Sequence, residues 1–150
     1  MSVDKKTIEN MLNLALATSL NHLDFYLSAS NEYEDPKTRA LLIVMAELEE
    51  EIAASIEEMM IHGIATAVQQ AAKFNPDEGP DETPFDLRRA EQDKRIYLCN
   101  KILDLEIKGY TFYLSIAARA KSELISRLFQ HLAMLKAKQI DRIRRVCQTF

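Results

Sequence analysis

The side chains in this chain that could do chemistry are three histidines, two cysteines and a large set of carboxylates. Carboxylates and imidazoles together suggest metal ligation or acid–base work, so their spacing matters. Glu58 and His62 stand at i and i+4, close enough to share an ion on one helix face. On an isolated helix that spacing is ordinarily surface chemistry. His22 and His131 are each isolated in the sequence. No Glu-x-x-His pair, glycine-rich phosphate loop, Ser-His-Asp order or Cys-x-x-Cys pair occurs. Cys99 and Cys147 are too few and too far apart to suggest a disulfide framework or a zinc knuckle, and they read as buried thiols.

The elements that must position these groups are helices. The chain has 150 residues, the size of one domain, with only 3 glycines and 4 prolines, the two residues that cost helices most. A net charge of −4 argues against a nucleic-acid partner. The basic turn around Arg142, Arg144 and Arg145 complements the negative end of a helix dipole. Met1 to Asn10 is polar, unlike a signal peptide, and no stretch reaches the roughly 18 apolar residues of a membrane span. A soluble, cytoplasmic protein without a membrane partner is expected.

Periodicity and punctuation give four long helices. The first follows Asp4, a candidate N-cap, and runs to about Asn31 with Ile8, Leu12, Ala15, Leu16, Leu20, Leu23 and Leu27 on one face. Asp35-Pro36 starts the second, which runs towards Lys73 unless Gly63 bends or ends it early. Residues 75–86, with three prolines and a glycine, break the pattern. Thr83-Pro84 or Asp86 caps the third helix, which continues to about Ala120, and Ser122 caps the fourth.

A shift of 87 residues lays Phe25-Tyr26-Leu27-Ser28 on Phe112-Tyr113-Leu114-Ser115. It also matches Asn13 with Asn100, Leu16 with Leu103, Leu41 with Leu128, Ala46 with Ala133 and Leu48 with Leu135. The pattern is that of a duplicated helical hairpin. Hairpin one spans about 4–74 and hairpin two about 87–150, with a crossover at about 75–86. A bundle roughly 35–40 Å long needs about 11–12 extended residues to return along its length, and that segment just suffices. The expected fold is an all-α, ferritin-like four-helix bundle: two hairpins in one domain, joined by a long crossover.

Bundles of this kind can hold two metal ions between a Glu from each of two helices and a Glu-x-x-His from each of the others. The stretch LDLEIKGYTFYLSIAARAKSELISRLFQHLA resembles the rubrerythrin family. There a Glu stands six residues before a Phe-Tyr pair, and a short turn leads to a helix with Leu-Ala followed by Glu-x-x-His. The resemblance covers about residues 8–60 and 95–145. It implies six ligand positions, and only two of them carry a ligand. Glu106 matches one lone Glu, with Ser19 where the other belongs. Glu49 follows Ala46 as the family implies, but Ile52 replaces the histidine. After Ala133, Lys136 and Gln139 replace Glu and His. The cysteine-rich rubredoxin-type segment of rubrerythrins is missing as well.

These losses fit together physically. Glu49 and Glu106 facing each other across a core need a counter-ion, and Lys136 between them supplies one. Ser19 and Gln139 would bond the remaining carboxylate oxygens. The competing reading leaves Lys136 in solvent and Glu49 in an exposed run, Glu47 to Glu51. Tyr26 and Tyr113 are expected in the core with hydroxyls on nearby carboxylates, and Met45, Met59, Met60 and Met134 as fillers.

The resemblance and its lost ligands imply a non-catalytic structural or interaction domain. No catalytic or cofactor-binding residue and no metal are expected. The assembly expected is a homodimer or other homo-oligomer, or a complex with another protein. The apolar end of helix two (Ile61, Ile64, Ala65, Ala67, Val68) is one candidate surface. The alternative is a di-iron or single-metal oxidoreductase or iron-binding protein acting on peroxide or oxygen. A rearranged iron or zinc site would then use His22, Glu49, Glu106 and His131. A third reading has the vacated interior binding a small molecule.

Overall fold

The computed structural model describes residues 5–150, apart from the side chain of Pro76, and every described element is helical. Four long helices carry the architecture: α1 (Lys5–Ser30), α2 (Pro36–His62), α5 (Lys94–Arg119) and α6 (Glu123–Cys147). Two short ones lie between them, α3 (Ala65–Gln70) and α4 (Leu87–Gln92), with single 3-10 turns at Ala71–Lys73 and Pro76–Glu78. Helices α1 and α2 fold back on each other, as do α5 and α6. A helix of 26 residues, such as α1 or α5, is about 39 Å long.

Local chemistry fixes the ends. Asp35 accepts from the Thr38 amide at 3.0 Å and Pro36 opens α2, where its missing N–H is no loss. Ser122 caps α6 by accepting from the Ile125 amide. The expected Asp4 cap lies outside the described residues. Helix α2 ends early at Gly63, as that glycine allowed: it stops at His62 and does not reach Lys73, because Gly63 takes φ +93°, a conformation that side chains resist. One expected boundary is corrected. The expected third helix is broken: Asp86 caps α4, and Asp93 leaves the helical region (φ −122°, ψ 112°) to cap α5.

The core fills the space between the two hairpins. One cluster, around Leu12, Ile56, Leu103 and Phe129, and another, around Tyr26, Met45, Ile102 and Ile143, each draw on all four long helices. Ile64 and Ala67 are buried in the first and Val68 packs against it, so most of the candidate surface at the end of α2 is core. Only Ile61, 76% exposed, remains a prominent apolar side chain there.

Charged anchors hold the segment 63–93 to the bundle. Arg144 pairs with Asp81 at 3.1 Å, donates to the Thr83 carbonyl at 2.7 Å and covers the Phe85 ring. The basic turn of α6 thus does more than complement a dipole. Asn100 brackets the Phe85 backbone through both its N–H and its C=O. A second correction of substance is covalent: Cys99 and Cys147 form a disulfide, with their Cα atoms 6.2 Å apart. Sequence distance had argued against a bond, but α5 and α6 are antiparallel, which brings the start of one beside the end of the other. No described helix is long and apolar enough to cross a membrane.

Candidate functional site: a buried charge cluster

All four long helices deliver a polar group to one place in the core. Ser19 and His22 come from α1, Glu49 from α2, Glu106 from α5 and Lys136 from α6, and all five are buried. The Lys136 ammonium donates to Glu49 Oε1 at 2.5 Å and to Glu106 Oε2 at 2.9 Å. The remaining carboxylate oxygens are also taken. Ser19 Oγ donates to Glu49 Oε2 at 2.6 Å, and the Tyr26 hydroxyl donates to Glu106 Oε1. A charge buried to 0% exposure survives only when so matched, because the protein interior replaces few of the bonds that water would make.

His22 closes the ring. Its Nδ1 lies 3.3 Å from Glu49 Oε1, 3.5 Å from Glu106 Oε1 and 3.1 Å from Lys136 Nζ. Neutral, this nitrogen can accept from the ammonium; protonated, it donates to a carboxylate. Burial opposes the charged form, but the bonds to Glu106 and Glu49 outweigh burial and the repulsion of Lys136, so the histidine is raised above its ordinary value. Two carboxylates against one ammonium leave a charge of −1, which a proton on His22 cancels.

The other groups respond to the same field. Burial alone would raise the Glu106 carboxyl. The Lys136 charge and the bonds from His22, Tyr26 and Lys136 pull it down to about 2 instead. For Lys136, burial is outweighed by both carboxylates, and its pKa rises. The Tyr26 phenol is pushed well above its usual range by burial and by the adjacent Glu106. Gly109 makes room for all this. A Cβ there would sit 3.3 Å from Lys136 Cε, tighter than side chains ordinarily pack, and at ordinary contact, 3.5 Å, from His22 Cε1, so glycine leaves the lysine stem room to pass.

A pH dependence follows, with opposite limbs. Glu106 has a depressed folded value, so its contribution is full above its usual 4.5 and is lost as pH falls towards about 2. His22 is raised, so its contribution is full below 6.5 and is lost as pH rises through the folded value. His131 is lowered by burial and by Lys138, and therefore tilts the other way in the same window. Urea unfolding of wild type and His22→Gln between pH 5 and 9 separates the two. The stability difference between them should shrink with rising pH, and a constant difference would remove His22 from the charge balance.

The structure therefore brings Ser19, His22, Glu49, Glu106 and Lys136 together and leaves other expected positions out. Gln139 is buried, yet its amide bonds neither carboxylate and has no partner among the described residues, contrary to expectation. Tyr113 is buried against Phe129, and its hydroxyl is likewise unpartnered, so only Tyr26 reaches a carboxylate. Ile52 packs in the apolar core. His131 is buried with Nδ1 unpartnered among the described residues and does not join the group of potential ligands formed by His22, Glu49 and Glu106, whose ligand atoms lie within 4.8 Å of one another. Glu58 and His62 are exposed on α2.

Sequence reasoning underrated His22 and missed Gly109. The available signal was register: His22 falls one turn after Ser19, and Gly109 one turn after Glu106, on the inward faces of their helices. The residues do not fit a di-iron centre. Its implied ligand positions hold Ser19, Ile52, Lys136 and Gln139 at four of six places, and the three groups that could ligate already bond an ammonium. Comparison with protein-family models, with curated proteins and with solved structures finds no match to this chain.

Proposed function

We propose that this chain is a ferritin-like, rubrerythrin-related bundle in which the Lys136 ammonium takes the place of the metal ions, leaving a non-catalytic structural or protein-interaction domain. One observation carries the reading. A single ammonium is bonded by His22, Glu49 and Glu106 together, at 3.1, 2.5 and 2.9 Å. A divalent ion would have to displace it against direct repulsion. The order of elements supports the fold assignment: two helical hairpins, with the connecting segment 63–93 held along the bundle by Arg144 and Asn100.

Such a domain acts by association, with a second copy of itself as the simplest assembly. The outer face of α1 supports this. Leu20 and Leu27 are each 46% exposed and alternate with partly buried Leu16 and Leu23 at the 4-3-4 spacing of a helix-pairing seam. In a reducing cytoplasm, the expected setting, the Cys99–Cys147 bond depends on its burial, because thiol exchange needs access to sulfur.

Metal content of the purified protein, after incubation with ferrous iron and separately with zinc, tests the proposal. Desalted protein should retain well under one ion per chain. Retention of two irons would overturn the proposal in favour of peroxide or oxygen chemistry. Retention of one ion would favour a second reading, motivated by the convergence of His22, Glu49 and Glu106, in which the lysine swings aside.

A further inference from the structure

A groove of about 380 Å³ lies between α2 and α6 and is built almost symmetrically by the repeat. Leu48, Glu51, Ile52 and Ser55 line one wall; the residues 87 positions later, Leu135, Lys138, Gln139 and Arg142, line the other. The two walls have diverged in chemistry. On α6, polar and cationic groups stand where α2 has an isoleucine, a serine and a carboxylate.

Three features point to a ligand. First, Gln139 is only 3% exposed, and both ends of its amide lack a hydrogen bond among the described residues. Burying a donor and an acceptor unpaired is costly, and such a cost is ordinarily tolerated where the groups have a use. Gln139 is one of the residues that line the groove. Second, Lys138 and Arg142 are exposed at the mouth, and neither takes part in an ion pair among the described residues. With Glu51 opposite, the mouth carries a net positive charge. Third, Leu48, Ile52 and Leu135 give the groove apolar sides suited to a flat ring.

The geometry points to a binding site for a small organic anion that presents a cis-amide edge, a lactam or imide ring joined to an acidic group. A ring with acceptor and donor side by side can satisfy the N–H and the C=O of a carboxamide at once, as a cis-amide edge does. The acid group would lie against Lys138 and Arg142. This site is separate from the charge cluster and does not depend on the ammonium's role there.

Three probes separate the contributions: uracil-6-carboxylate carries both features, uracil only the imide edge, and benzoate only the ring and the charge. By titration calorimetry, uracil-6-carboxylate should bind at least about tenfold more tightly than either of the others. Gln139→Leu, or Gln139→Met should the first fail to fold, should weaken it roughly tenfold or more, because two hydrogen bonds are lost. Lys138→Gln with Arg142→Gln should weaken uracil-6-carboxylate and leave uracil unchanged. No binding at millimolar concentration, equal binding of all three probes, or binding indifferent to Gln139 would each overturn the assignment.

Discussion

Lys136→Ala should lower the unfolding free energy by about 3–5 kcal/mol, the usual cost of stripping one partner from a buried ion pair. The reason lies in what remains rather than in what is removed. Glu49 and Glu106 are 0% exposed, and each loses its cationic bond when the ammonium is deleted. One carboxyl must then take up a proton, or water must enter the core. The companion variant replaces the whole cluster at once, as Glu49→Gln, Glu106→Gln and Lys136→Met together. It should be close to neutral, since exchanging a complete buried ion network for uncharged groups of similar size often costs little. Urea unfolding at pH 7 reads both. A loss below about 1 kcal/mol for Lys136→Ala would mean that the ammonium does not hold the carboxylates in solution as it does in the structure.

Reducing the Cys99–Cys147 bond should cost up to about 4 kcal/mol. The bond closes a loop with a sequence separation of 48, and the chain-entropy relation gives that figure for a loop of this size. Native strain or residual order in the unfolded chain would lower it. Cys99→Ala with Cys147→Ala should shift the urea midpoint in the same direction, with an added term for two small cavities. Thiol titration of the denatured, unreduced protein gives the direct check. It should find no free thiol, and two free thiols would remove the bond and the prediction together.

The contrast between these two results shows what could be read from sequence. Lys136 was legible through the family resemblance, which carries over because helical register is short-range: Glu49 and Lys136 stand three residues after Ala46 and Ala133, and Glu106 six before Phe112. The caps at Asp35 and Ser122 were legible for the same reason, since a cap and its amide lie three residues apart. The disulfide was not: the expected hairpin already set the start of α5 beside the end of α6, but whether two thiols there come within bonding distance, here with Cα atoms 6.2 Å apart, is decided by packing that spacing does not encode. Nor was the break at Asp93, where a strong local cap divides an otherwise continuous helical pattern. Gln139 shows the limit within the site itself. Register placed it facing inward, but whether its amide meets a carboxylate is decided by side-chain packing that spacing does not encode.

The 87-residue repeat has a consequence for how the two halves can combine. It sets Glu49 against Lys136 and His22 against Gly109, and in the folded chain these equivalent residues meet. Across these two pairs the first half supplies the carboxylate and the bulk and the second the ammonium and the hollow, while Glu106 is the second half's own carboxylate. Two copies of the first hairpin would bring carboxylate to carboxylate and imidazole to imidazole. Two copies of the second would oppose ammonium to ammonium across a void. Sliding one hairpin by a single turn, about 5.4 Å, would separate every matched pair. The halves of the duplication have become a plug and its socket, and neither can any longer stand in for the other.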